Sequence, residues 1–308
     1  MFWYSYISYK GKMKITGVLK SLPGLGKIMT YIIFQIQKYR YYLKNRKVLQ
    51  RNIEWKDKYI GQSCYILGNG PSLKGQDVSL LEGKIVFTVN NLMMTKEFET
   101  IKPSFHLMAD PLNFSSEDTN SQTLIDERFS VLRSSKFEPT CIFPLKVKPL
   151  VEEEDLYPDK KIIYFMNYGN WRNGEIRDIN LQKFLPEYVN IIHIAIMVAM
   201  YMGFKKIYLM GVDMTSFLVN YEYKDEGGFN QQYAHFYKEE ERMKKLLLKA
   251  WSKSNNEIAL KNMAQCFEIF RFLKTYGKRN GVEIVNLTKG GALDVFERRK
   301  FEEEISKI

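Results

Sequence analysis

The stretch SCYILGNGPSLKG, Ser63 to Gly75, decides how the rest of the chain is read. Its first five residues have the apolar content of a buried strand. They run directly into Gly68-Asn69-Gly70-Pro71-Ser72, a turn followed by a helix start. Proline is well placed there, because its missing N–H is no loss at the first helical position. Gly68 and Gly70 permit positive φ and close approach of the backbone to a ligand. In an open α/β sheet, ligands bind beyond the carboxyl ends of the strands, where this turn would lie. Free amides at a helix start, with the Ser72 hydroxyl, favour an anion. Asn69 adds a neutral amide suited to a sugar, base or phosphate. A dinucleotide fingerprint is incomplete, since the third Gly is absent and the next strand ends in Asn90-Asn91 rather than an acidic residue. The turn is therefore expected to hold a nucleotide phosphate.

Outward from this turn, strand-like and helix-like runs alternate. KIVFTVNN (84–91), SFHLMAD (104–110), PTCIFPL (139–145), KKIIYFM (160–166), KKIYLMGVD (205–213) and VEIVNL (282–287) read as strands. NIIHIAIMVAMYMGF (190–204) is too long and too rich in Met and Ala for one, and reads as a buried helix. Residues 256–277 read as a second long helix, with Gly277 as its stop. VEEED (151–155) is a charge run expected in a solvated loop. This alternation predicts an α/β fold, Rossmann-like and doubly wound, with a mostly parallel sheet. Residues 214–255, rich in Tyr, Gln, Glu and Lys, are expected to form a lid over the carboxyl ends of the strands.

Charge divides the chain differently. Residues 1–60 hold thirteen Lys or Arg against Glu54 and Asp57, which equals the whole net charge of +11. The other residues hold thirty-three bases and thirty-three acids. A neutral body excludes a basic groove for nucleic acid. The predicted organisation is a basic, aromatic helical arm over 1–60 and a Rossmann-like catalytic domain over 61–308. The longest uncharged apolar stretch of the arm, Ile28 to Phe34, is far short of the ~20 residues a spanning helix needs. No cleavage-site pattern of a signal peptide follows it. Such an arm suits an anionic membrane surface, placing the protein in the cytoplasm at the inner face of the cell membrane.

Cys64, Cys141 and Cys266 are far apart, without a CxxC pair, and fit a reducing compartment. No Asp-x-Asp pair exists, and His and Cys form no ligand cluster, so no metal site and no cofactor are expected.

Several blocks together carry a resemblance. YILGNGPSL (65–73) resembles the amino-terminal signature of bacterial sialyltransferases of glycosyltransferase family 42. That signature is shared by a wider group with flagellin nonulosonate transferases and an archaeal hydroxymethylpterin diphosphokinase. FTVNN (87–91), ADPLNF (109–114), AIMVAMYMGFKKIYLMGVDM (195–214) and VEIVNLTKGGALDVF (282–296) are similar to later blocks, in order. The resemblance implies a CMP-linked nonulosonic acid as donor. It places Gly68, Asn69, Gly70, Ser72, Asn90, Asp110, Asn190 and Asp213 around that donor. Asn190-Ile191-Ile192 stand where the family has Thr-Ser-Gly, and Asp110 replaces an Asn. Tyr221 or Tyr223, with Thr215, fall near the family's phosphate-binding tyrosines, and His235 near its catalytic histidine.

The chemistry weighs the same way. Transfer needs the acceptor hydroxyl deprotonated, for which His is suited, and the departing phosphate charge held, for which Tyr hydroxyls are suited. Of the three histidines, His106 lies in a strand, and His193 either packs in the core or faces the site. His235, in a polar and aromatic lid, is the best base, with Asp213 and Glu239 behind it. The expected function is a metal-independent inverting glycosyltransferase acting on a glycan or lipid-linked glycan of a bacterial surface. The alternatives are a diphosphokinase using ATP and Mg²⁺ through Asp110 and Asp213, or a membrane-docked nucleotide-binding module without catalysis.

Overall fold

Among the described residues, ten short segments form strands: β1 (Ser63–Leu67), β2 (Val86–Val89), β3 (Phe105–Leu107), β4 (Thr140–Pro144), β5 (Ile162–Phe165), β6 (Lys206–Met210), β7 (Glu222–Lys224), β8 (Gly228–Asn230), β9 (Glu283–Asn286) and β10 (Glu297–Arg298). The structure is a computed structural model that describes residues 25–110, 113–114, 119–158, 160–167, 178–215, 222–224, 228–230, 235–237 and 255–307. Eight strands make one sheet in the order β10-β9-β6-β1-β2-β3-β4-β5. Every neighbouring pair in it is parallel. The expected doubly wound sheet is present, and it is wholly parallel. β7 and β8 form a separate antiparallel pair within the segment read as a lid.

Among the described residues the α-helices are α1 (Leu25–Gln50), α2 (Lys96–Ile101), α3 (Thr119–Ser134), α4 (Lys148–Glu153), α5 (Ile191–Tyr201), α6 (Asn256–Arg279) and α7 (Phe301–Ile305). From Ile192 to Tyr201 every residue of α5 is buried, as an all-round apolar helix requires. It packs on β1 and β2 and against α6. α6 buries only Cys266, Ile269, Phe270, Leu273 and Gly277, the single face of an amphipathic helix. Gly277 does not stop it. A Cβ there would lie 3.0 Å from Met200 Cε and 3.1 Å from the Val282 carbonyl, so the glycine permits close packing and the helix runs on to Arg279. VEEED is likewise not all loop, because Val151–Glu153 close α4 and Val151 is buried.

The chain divides into two compact units, Met1–Lys47 and Val48–Ile308. Residues 48–60, counted with the arm by charge, therefore belong to the second unit. There Leu49, Asn52 and Trp55 are buried. The Asn52 amide donates 2.8 Å bonds to the Tyr164 and Leu181 carbonyls. Trp55 meets Phe105 edge-on, and Tyr59 stacks on Phe204 at 4.8 Å. Among the described residues, no helix is long and apolar enough to cross a membrane.

Candidate functional site

After β1 the chain builds outward to β5 on one side; after β6 it builds to β10 on the other. The order thus reverses between β1 and β6, which pair from Ser63↔Lys206 to Leu67↔Met210. In such sheets the crevice at the reversal is the ligand site. Its floor is made by the loops leaving these two strands, Gly68–Ser72 and Gly211–Met214.

These loops are bonded to each other. Gly68 N–H donates to the Met210 carbonyl and Gly70 N–H to the Gly211 carbonyl, both at 2.8 Å. A Cβ on Gly68 would lie 2.4 Å from the Gly211 oxygen. One on Gly70 would lie 1.7 Å from Asp213 Oδ2. Neither glycine has positive φ, and Gly70 sits at φ −66°. The expectation of left-handed glycines is corrected: they are required because the β6 loop passes too close for a side chain.

The anion-binding expectation also changes. Pro71–Gly75 is a single 3-10 turn, and its start is already occupied by a carboxylate. Ser72 N–H donates to Asp213 Oδ1 at 3.2 Å and Ser72 Oγ–H to Oδ2 at 2.7 Å. Asp213 is 8% exposed. Burial pushes its carboxyl above the usual range, opposed by the two Ser72 bonds and by Arg298. Asp213 is thus a brace between the two loops rather than a free base.

A third loop completes the floor. The Ala292 N–H donates to the Asp213 carbonyl at 2.6 Å, and Val212 N–H to Thr288 Oγ1 at 3.1 Å. Gly291, at φ +78°, would place a Cβ 2.7 Å from the Asp213 carbonyl oxygen. Arg298 holds this loop by donating to the carbonyls of Gly290, Gly291 and Leu293. Sequence reasoning stopped at Phe296 and did not assign Arg298. The Gly290-Gly291 pair was the available signal, since such a loop exposes carbonyls that a nearby guanidinium can gather.

Neutral amides line the neighbouring strand ends. Asn69 Nδ2 donates to the Val89 carbonyl at 3.3 Å. That bond fixes the amide's orientation and leaves Oδ1 buried, with no hydrogen-bond partner among the described residues. Asn90 has φ +47°, a conformation Asn tolerates, and its Oδ1 accepts from Asn113 Nδ2 at 3.0 Å. Asn91 Oδ1 accepts from the buried Arg128 at 2.9 Å. Asn113 and Arg128 were not foreseen as parts of this group. Asp110 lies past the end of β3, and its charge acts on Lys146, beyond β4, and on Tyr188.

His235 comes close to the same turn. The Phe236 N–H donates to the Asn69 carbonyl at 3.1 Å, and the His235 ring stacks on Tyr237 at 5.1 Å. Phe236 also closes a cavity of about 220 Å³ lined by Leu67, Leu73, Gln76, Leu92 and Glu97. Tyr221 and Glu239 lie outside the described residues, as does the side chain of Tyr223 in β7.

The remaining candidates have partners within the protein. Asn190 caps α5, its Oδ1 accepting from Ile192 N–H at 2.9 Å. His193 is fully buried, its Nδ1 facing the Asn190 N–H at 3.3 Å and its Nε2 lying 3.6 Å from Cys266 Sγ. Of its two possible places, the core is the observed one. His106 is equally buried and shares a 2.8 Å bond with Thr88 Oγ1. Burial lowers both imidazoles to about 3. Among the described residues, no three His, Cys, Asp or Glu gather as a metal site.

The family model described as 6-hydroxymethylpterin diphosphokinase MptE-like matches residues 36–216, more than half of the chain. The match takes in both walls of the crevice, from the Gly68–Ser72 turn to Asp213. It ends before His235 and before the loop held by Arg298. No curated protein and no solved structure matches.

Proposed function

This chain belongs to the 6-hydroxymethylpterin diphosphokinase MptE-like family, and on that premise we propose that it transfers a group from a nucleotide-activated donor seated in the β1/β6 crevice. We infer further that the donor is a CMP-linked nonulosonic acid and the acceptor a hydroxyl of a bacterial surface glycan, free or lipid-linked. Asn69 carries the reading. Its Oδ1 is a buried, oriented acceptor without a partner among the described residues, in the turn that leaves β1 beside the crevice. An acceptor amide suits the N–H of a base or the O–H of a sugar, and a bare phosphate offers it nothing to receive.

In this mechanism the acceptor oxygen attacks the anomeric carbon as its proton passes to the imidazole of His235. The bond from that carbon to the phosphate oxygen breaks, and the electron pair leaves with CMP. Attack on the face opposite the leaving group inverts the centre. Tyr221 or Tyr223 would receive the phosphate charge. The Asp213–Ser72 brace holds the crevice floor rather than moving a proton.

The family's description favours a second reading, transfer of a diphosphate from ATP. The Mg²⁺ that such a reaction uses does not fit the two carboxylates suggested for it. Asp213 is bonded twice to Ser72, while Asp110 lies three strands away and acts on Lys146 beyond β4. Three strand spacings are about 14 Å, against ~2.1 Å for a magnesium–oxygen bond. No step is derived through the metal. The test is turnover. The proposed reaction releases CMP from the sugar donor in EDTA and stops in His235→Ala with donor affinity kept. Formation of AMP from ATP only with Mg²⁺ would support the second reading and defeat the first.

A further inference from the structure

Helix α1 carries a surface that the reaction does not explain. Met29, Ile32, Ile36, Tyr39 and Leu43 are 38%, 44%, 53%, 56% and 49% exposed. They recur at intervals of three and four residues, so they fall on one line along an α-helix. From Met29 to Leu43 the line runs about 21 Å at ~1.5 Å per residue. Beyond Leu43 the same face is continued by Arg46 and Lys47, and Arg40 lies one turn past Ile36. Across Leu25–Gln50 there are six Lys or Arg and no Asp or Glu.

We propose that this face of α1 is a docking surface for an anionic lipid bilayer, lying in the interface with the apolar line against the acyl boundary and the bases among the headgroups. Two features on the helix select this occupant. An apolar line flanked by positive charge complements a surface that is apolar below and negative above. A line with intervals of three and four is also the seam of a coiled coil, but a second copy would bring six positive charges against six, with no acid on either helix to offset them. No described helix is long and apolar enough to span instead, so the contact is with the surface. The inference does not depend on the reaction proposed above, and binding can fail while turnover succeeds.

The experiment is co-sedimentation of the full chain with vesicles of phosphatidylcholine and phosphatidylglycerol, against vesicles of phosphatidylcholine alone. Partition into the anionic vesicles should exceed the control by roughly tenfold and fall by a similar factor as salt rises from ~0.1 to ~1 M. Two full-chain variants address the two halves of the surface. Ile32→Gln with Ile36→Gln removes the middle of the apolar line; Arg40→Gln, Lys44→Gln and Lys47→Gln remove half of the charge. All five positions are exposed, so helix content by circular dichroism should be unchanged. Each variant should lose roughly tenfold in partition. Equal binding by the variants and the parent, or equal binding to both kinds of vesicle, would overturn the proposal. So would a lipid-free dimer that the isoleucine variant abolishes, which would assign the line to a second copy.

Discussion

The turn after β1 and helix α1 are both dense in motif-like residues, yet different things determine them. In the turn, Gly68 and Gly70 are dictated by protein atoms of the facing loop, which stand where a Cβ would be. In α1, the apolar side chains are exposed, and the charge around them points to a partner. A glycine-rich turn at the end of a strand invites the reading that its backbone waits for a ligand. Here it first accommodates another loop of the same chain, and Asn69, the one side chain between the glycines, is held by the Val89 carbonyl with its Oδ1 buried. Sequence motifs at such a crossing report loop–loop packing as much as ligand contact.

The largest effect that would break this comparison comes from the boundary between the two regions. Removing residues 1–60 takes Leu49, Asn52 and Trp55 from the core of the second unit. Relative to a chain starting at Val48, this should cost more than ~4 kcal/mol, since loss of one large core side chain already costs ~3–5. Thermal melts of the two truncations check it. Equal melting temperatures would return residues 48–60 to the arm.

Next comes Gly70→Val, which forces a side chain into Asp213 and the Gly211 carbonyl. A cost of about 3 kcal/mol or more follows, read as loss of soluble protein or a large fall in Tm. Combining it with Asp213→Gly should recover part of that loss by removing the struck carboxylate. Were Gly70→Val to fold normally and lose only ligand affinity, the turn would be open to ligand rather than packed on its neighbour.

The buried histidines give a pH effect of intermediate size. His106 and His193 are held neutral, with folded values of about 3 against ~6.5 unfolded. The unfolded chain binds more protons below that unfolded value, so stability is full above about pH 6.5 and declines as pH falls toward ~3. Each contributes up to ~1.4 kcal/mol per pH unit in that window. Denaturant midpoints from pH 7 to 4 should fall less steeply in His106→Gln. An unchanged slope would mean that this imidazole takes up its proton while folded.

The smallest effect is Ser72→Ala. It removes a charge-assisted bond to Asp213 and should cost about 1.5–3 kcal/mol. The remaining N–H bond keeps the loops together, so the variant should fold and retain donor affinity. Donor affinity lost without a change in Tm would place the hydroxyl on the ligand instead.

Much of the fold was legible because its strands are short apolar runs separated by turn signals, and because α5 is apolar over more length than a strand uses. A doubly wound sheet followed once those runs alternated with helices, but which strands flank the order reversal did not, because strand order is set by pairings between distant segments. Contacts between distant segments were not legible. Ser72 and Asp213 are 141 residues apart, and no local pattern pairs them. Arg298 lies beyond the last block that carried a resemblance, and its role depends on carbonyls turned toward it by the Gly290-Gly291 loop. By net charge Trp55 falls in the arm, since the basic excess runs on through Lys56 and Lys58. In the structure Lys58 covers the Trp55 ring at 4.1 Å while the indole itself is buried. Net charge reports the surface and is silent on which aromatic bodies lie beneath it.

The central claim is that the β1/β6 crevice, with Asn69 in the turn beside it, takes a CMP-type donor. Calorimetry with CMP, ADP, UDP, NAD and ATP, each with and without Mg²⁺, tests it most directly. The account predicts that CMP binds most tightly, that EDTA leaves its affinity unchanged, and that Asn69→Ala weakens it. Preferential binding of ATP that requires Mg²⁺ would contradict it.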